Sequence, residues 1–377
     1  MNSATVKMKS SYRPEIDGLR AFAVLSVIIF HLNEYFLPGG FVGVDVFFVI
    51  SGFLISNHLF ADVNSGQFSF GRFYLKRARR ILPALYVLII FTMILSTLLL
   101  LPADNKRAAK IATEALMYKA NYYFARYADY FSHNTMEFSF LHLWSLSVEE
   151  QFYFLLPAIL FGVFKMSSYL NISFKKTLLW VLGGIFLGSL FWSEFSLSHD
   201  SLKKLAFYDA LSRACEFLVG ALLAVFDLKI NQKMLAEILS LVGFAMLSCS
   251  LFLLNSKTRF PGVHSLLPCF GAALVIASNE KTLTWVGHFF SLKPIVFVGA
   301  ISYSLYLYHW PLLALFRYSN IQIFFTNVQM ITLFVTAVVL AVFNWRFVEL
   351  PFRKPTSDST SRALLKIFVT GQRKGII

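Results

Sequence analysis

The stretch GLRAFAVLSVIIFHLNEYFL, residues 18–37, has the length and apolarity of a membrane-crossing helix, yet it carries Arg20 and His31. Both side chains are expensive in hydrocarbon, so within a span they usually face the protein interior and mark function. Eleven residues at about 100° each bring His31 back to nearly the azimuth of Arg20, roughly 16 Å further along the same helix face. A cation near one membrane surface, with a titratable base deeper on the same face, describes a site that grips a long ligand by its charged end.

The rest of the chain has the same character. Of its 377 residues 57% are hydrophobic and only 14% charged, whereas a soluble domain is about half apolar and a quarter charged. Ten apolar runs are read as spans, near 18–37, 41–61, 81–101, 143–164, 177–197, 205–227, 234–254, 263–279, 294–316 and 326–348. The expected fold class is therefore all-α, a polytopic membrane helix bundle. The first run is not a cleaved signal peptide, because it is too long for an h-region, contains Arg20 and is followed at once by a second span. The net charge of +14 is assigned to orientation and anionic lipid rather than to nucleic acid. Cys215, Cys249 and Cys269 lie in apolar runs without metal-ligand spacing. They are read as small buried hydrophobes, and no metal is expected.

With the N-terminus cytoplasmic, most Lys and Arg fall on the inner side, chiefly in RFYLKRARR (72–80), read as a loop, and in the tail after Glu349. An even number of spans then places both termini in the cytoplasm of a cell's inner membrane. The expected units are an N-terminal segment 1–14, a transmembrane unit 15–355 and a short tail 356–377, whose RALLKIFV resembles the start of a further span. The tyrosine-rich stretch 108–130 is read as an amphipathic helix on the outer surface. Gly184 and Gly188 have the spacing of a close helix contact.

Orientation gives each intramembrane polar residue a depth. His31, Asp45, Glu149, Glu150, Asp209, Arg213 and His309 all fall in the outer half, on five helices, and Tyr303 belongs to the same supporting set. Unpaired charge in hydrocarbon costs several kcal/mol, so these groups must pair with one another or line a wet cavity. Histidine beside a carboxylate is a general-base arrangement. On the cytoplasmic side Arg72, Lys76, Arg77, Arg79 and Arg80 form a cationic cluster. It reads either as a topology determinant or as a phosphate clamp, for which forked guanidinium donors are suited. A polyphosphate head with a thin reactive arm is the ligand shape these layers describe, and coenzyme A has it.

Several motifs, in order, resemble the acyltransferase family 3 membrane proteins, which transfer acyl groups to cell-surface glycans. They are YRPEIDGLRAFAVLSVIIFH (12–31), GGFVGVDVFFVISGFLI (39–55), FYLKRARRILPALY (73–86), LHLWSLSVEEQFYFLLP (141–157), ISYSLYLYHWPLL (301–313) and FVELPFRKP (347–355). The resemblance implies acyl-CoA, usually acetyl-CoA, as the cytoplasmic donor. It implies that Arg20 and His31 are essential to transfer, that Arg77 and Arg80 bind the donor, and that Glu149 and Glu150 form an acidic motif. FVELPFRKP is typical of members that continue into an extracytoplasmic SGNH-type domain, so the chain reads either as a stand-alone form, with a separate SGNH-type protein as partner, or as a truncated one. The other expected partners are the bilayer, acyl-CoA and a glycan or lipid-linked sugar.

The expected function is O-acyl transfer, most simply O-acetyl transfer, to a surface glycan, with lipopolysaccharide O-antigen the leading acceptor. His31 acts either as general base or as acyl carrier, and the residues alone leave both open. The competing reading is a transporter or flippase without transfer chemistry, which buried charges on several helices suit equally well. A membrane scaffold with a structural polar layer is a third.

Overall fold

A computed structural model describes residues 12–132, 135–228, 230–322 and 324–353. Most of the expected N-terminal segment 1–14 and all of the tail 356–377 lie outside the described residues. The described chain is helical: α1 (Pro14–Leu32), α2 (Gly43–Asn64), α3 (Phe70–Leu99), α4 (Pro102–Leu116), α5 (Ala120–Tyr127), α6 (Leu143–Tyr169), α7 (Phe174–Ser198), α8 (Lys203–Tyr208), α9 (Ala210–Phe226), α10 (Lys233–Leu253), α11 (Leu266–Ser278), α12 (Trp285–Phe290), α13 (Lys293–Asn320), α14 (Asn327–Asn344) and α15 (Leu350–Arg353). A helix stands at each of the ten expected spans.

Seven helical stretches are long and apolar enough to cross a membrane, Gly40–Asn64, Phe70–Leu99, Leu143–Tyr169, Phe174–Ser198, Lys233–Leu253, Lys293–Asn320 and Asn327–Arg353. The other three expected spans fall short for physical reasons. α1 holds Glu15, Asp17, Arg20 and His31 in 19 residues, while α9 and α11 have 17 and 13 residues. The protein is a multi-pass, all-α membrane bundle.

Burial shows where the centre lies. The apolar window of α2 is 78% buried, against 22% for α7, so α2 is an inner helix and α7 a peripheral one. α1 packs between α2 and α13, and α9 packs against α2. The α2–α9 crossing depends on two glycines: a Cβ on Gly52 would stand 2.0 Å from the Phe217 carbonyl oxygen, and one on Gly220 would stand 2.0 Å from that of Val49.

Four expectations need correction. RFYLKRARR is no loop: it is the beginning of α3, started by Ser69, whose side chain accepts from the Arg72 N–H. The stretch 108–130 is not one interfacial helix, because α4 and α5 are separate short helices, broken at Tyr118 in the left-handed region (φ 55°). Gly184 and Gly188 mark no helix contact among the described residues, since none of these lies within 4 Å of a Cβ built on either. Cys215 and Cys269 are buried as expected, but Cys249 is exposed on the outer face of α10.

Candidate active site

Helix α3 decides which of the cations can act together. At about 100° per residue, Arg77 and Arg80 fall on one side of the helix, while Arg72, Lys76 and Arg79 gather on the adjoining side. Arg77 and Arg80 accordingly line a cavity of about 870 Å³, together with Arg20, whereas Arg72, Lys76 and Arg79 do not. Arg72 and Lys76 are exposed. The expected five-residue clamp is thus reduced to two of its members joined by Arg20. Arg353, at the end of α15, brings a fourth guanidinium into electrostatic range of Arg20 and Arg80. It is held by Glu349, which also accepts from Ser304 of α13 at 2.9 Å.

The cavity is lined on its other sides by α2, α6 and α13. Glu149 accepts from Ser51 Oγ at 2.5 Å and from the Tyr153 hydroxyl. The Arg77 guanidinium lies over the Tyr153 ring, 4.9 Å from its centre. Tyr303 also lines the cavity and donates to the Ile81 carbonyl at 2.9 Å. Glu150, one residue on, turns away: it is buried, lines neither this cavity nor the pocket at His31, and its Oε1 has no hydrogen-bond partner among the described residues.

His31 stands beyond the far end of this cavity, bordering a second pocket of about 540 Å³ with Glu34, Tyr130, Trp310 and Arg317. The one site implied by Arg20 and His31 on a shared helix face is divided in the structure. Tyr306 and Ser145 close the cavity, their hydroxyls 2.7 Å apart, and His142 and His309 pack behind them. The His31 ring is buried against this layer. Its Nδ1 lies 3.0 Å from His309 Nε2, and its Nε2 lies 2.8 Å from the Tyr130 hydroxyl. His309 Nδ1 lies 2.5 Å from the Tyr306 carbonyl, and Arg317 donates to the His31 carbonyl at 2.6 Å. The Trp310 ring meets the His31 ring edge-on at 4.5 Å, and its Nε1 donates to the Phe138 carbonyl. Burial lifts the Tyr130 hydroxyl well above its ordinary value of 10, so it stays a donor.

The remaining polar residues are engaged elsewhere. Arg213 donates through Nη1 to Asp45 at 3.2 Å and to Glu216 at 2.7 Å. The rings of Phe48, Trp144, Phe207 and Phe260 stand 5.2–5.7 Å from its guanidinium carbon. None of the three charged residues lines either space. Asp209 caps α9, accepting from Ser212 N at 3.1 Å, and also accepts from Trp192 Nε1 at 3.1 Å.

Sequence reasoning missed Tyr130, His142, Tyr306, Trp310, Arg317, Glu216 and Arg353 as site residues. Four of them, His142, Tyr306, Trp310 and Arg353, stand inside quoted motifs, and Tyr306 and Glu216 stand one helical turn from the chosen His309 and Arg213, so part of the signal was available. Tyr130 and Arg317 carry no such signal, because only the fold returns them to His31.

Most of this geometry, all but Glu349 and Arg353, is covered by one known family. The acyltransferase domain model of family 3 matches residues 13–345, which takes in α1 with Arg20 and His31, the α3 arginines and the α13 histidine. The chain belongs to acyltransferase family 3. Among curated relatives, a Staphylococcus aureus (strain MSSA476) protein named "Putative O-acetyltransferase" is 34% identical over 370 residues, 92% of this chain and 58% of the relative. O-acetyltransferase OatA of S. aureus (strain NCTC 8325 / PS 47) is 33% identical over 356 residues, 91% of this chain and 57% of the relative. The family 3 chain thus spans under three-fifths of the length of these relatives. No solved structure matches it.

Proposed function

We propose that the chain is a membrane O-acetyltransferase that takes an acyl group from a coenzyme A thioester and delivers it to a hydroxyl of a cell-surface glycan. The observation that carries this reading is the pairing of two spaces on one helix. An arginine-lined cavity meets α1 at Arg20, a histidine-bearing pocket meets it at His31, and a single layer of polar side chains separates them. Arg20, Arg77 and Arg80 fit the donor's phosphates, since guanidinium groups bind phosphate oxygens in pairs. The donor enters from the cytoplasm, and its thioester end points toward Tyr306 and Ser145.

The acceptor approaches from the opposite side, into the pocket at His31. Its hydroxyl proton passes to His31 Nε2 as its oxygen bonds to the thioester carbonyl carbon. The C–S bond breaks, and the departing sulfur takes that proton back from His31, leaving an ester and free coenzyme A. An acyl-His31 relay would use the same nitrogen. Donor and acceptor meet only when the layer between the two spaces parts, so its opening belongs to each turnover.

The test is purified protein in proteoliposomes, given acetyl-labelled acetyl-CoA and, separately, lipopolysaccharide, peptidoglycan fragments or an exopolysaccharide. Label in an alkali-labile ester on one of these is the expected result, and it names the acceptor class. Label that crosses the bilayer without forming any ester would overturn the proposal in favour of a carrier.

A further inference from the structure

The hydrogen bonds around His31 determine where its protons sit. A backbone carbonyl can only accept, so the contact of His309 Nδ1 with the Tyr306 carbonyl at 2.5 Å places a proton on that Nδ1. Neutral His309 then has its lone pair on Nε2, which lies 3.0 Å from His31 Nδ1. His31 must carry its proton on Nδ1 and donate it. Its lone pair is left on Nε2, toward the Tyr130 hydroxyl at 2.8 Å.

Ring geometry agrees. The two imidazole planes differ by 8°, with centroids 5.2 Å apart. Rings so placed, with nitrogens 3.0 Å apart, meet edge to edge in nearly one plane, where sp² N–H groups and lone pairs lie. The alternative, a doubly protonated His309 donating toward His31, would bury a cation with no carboxylate bonded to either ring among the described residues. The Arg317 guanidinium on the His31 carbonyl makes it costlier still.

We infer that His309 is a positioning residue, which accepts the Nδ1–H hydrogen bond of His31 and thereby fixes His31 with an unprotonated Nε2 facing the acceptor pocket. It does for His31 what a carboxylate does for the histidine of a hydrolase triad, but as a neutral acceptor suited to a site without counter-charge. Tyr130 shows the consequence, since an O–H group is already docked on Nε2 from the pocket side. This inference rests on the acyl-transfer reading for its kinetic consequence and on geometry alone for the tautomer.

The experiment compares His309→Phe with His309→Gln, whose side-chain oxygen can stand near the lost Nε2 and accept. For His309→Phe we expect kcat to fall at least about tenfold with KM for acetyl-CoA within about twofold, and His309→Gln to recover most of the loss. In parallel, ring ¹⁵N spectra of histidine-labelled protein report the His31 tautomer, with assignment by loss of the signals in His31→Ala. The expected wild-type state is Nδ1–H with bare Nε2, lost in His309→Phe and restored in His309→Gln. Wild-type kinetics in His309→Phe while His31→Ala is dead would overturn the positioning role and leave acyl transfer standing. A wild-type protein that makes no ester would sink the transfer reading, and the ¹⁵N spectra would still decide the tautomer. If His309→Phe does not fold, the wild-type and His309→Gln spectra carry the decision, and an Nε2–H His31 in the wild type would overturn the inference.

Discussion

The histidine cluster on α1 and α13 and the ion cluster on α2 and α9 are both buried among helices, and they differ in what they border. His31 adjoins a pocket on one side and, through Tyr306 and Ser145, a cationic cavity on the other. Asp45, Arg213 and Glu216 adjoin neither, and four aromatic rings wall off the guanidinium. Burial of a polar group, although costly, is therefore not a sign of chemistry by itself. What separates the two clusters is empty space beside the polar atom and a partner that leaves one of its lone pairs facing that space.

The largest effect expected from this contrast is at His31. His31→Ala should lower ester formation by about 10²–10⁴-fold, the usual contribution of a general base, while leaving membrane insertion and thermal stability in detergent near wild type. Near-normal transfer would place His31 among the structural residues. At the other cluster the effect should fall on stability. Arg213→Met leaves two carboxylates buried without their guanidinium and should cost about 3–5 kcal/mol, read as a lower unfolding temperature or lost expression. Combining it with Asp45→Val and Glu216→Leu removes the orphaned charges and should restore most of that stability, with transfer retained. A triple variant that folds but transfers nothing would break the comparison, because it would bring the ion cluster into the mechanism.

The cavity mouth gives a smaller and different signature. Arg20→Lys keeps the charge and loses the fork, so KM for acyl-CoA should rise roughly tenfold with kcat little changed. Arg72→Ala, on the exposed side of α3, should change KM by less than about twofold. Equal effects at the two positions would mean that overall positive charge, and not the walls of the cavity, holds the donor.

Much of this was legible before any coordinates. Hydropathy placed a helix at each of the ten expected spans, because a lipid solvent enforces apolar runs of nearly fixed length, and it missed short helices such as α12 and α15. The arginine–histidine spacing on α1 gave the axis of the site, because both residues share one rigid helix. Helix ends were less legible: α3 begins eleven residues before the apolar run from 81 does, since charged residues are helical too when Ser69 caps them. Least legible was pairing. Shared depth grouped His31, Asp45, Glu149, Glu150, Asp209, Arg213 and His309, yet the fold divides them into a histidine pair, an ion cluster, a cavity carboxylate, a carboxylate that lines neither space and a helix cap. Which helices touch depends on contacts such as Gly52 on Phe217 and Gly220 on Val49, and these are not written in local pattern.

Asp209 offers the smallest and most discriminating test of that division. It stood in the expected polar layer on equal terms with His309, and in the fold it does the work of a cap, accepting from Ser212 N and Oγ and from Trp192 Nε1. Asp209→Ala should cost about 1 kcal/mol, as loss of an N-cap does, and Asp209→Ser should recover most of it. Neither should alter KM or kcat once the fraction of folded protein is matched. A kinetic defect in Asp209→Ala that Asp209→Ser fails to repair would mean that the carboxylate charge, and not the cap, is what the fold retains. In that event proximity to a void would no longer separate the working polar residues from the structural ones.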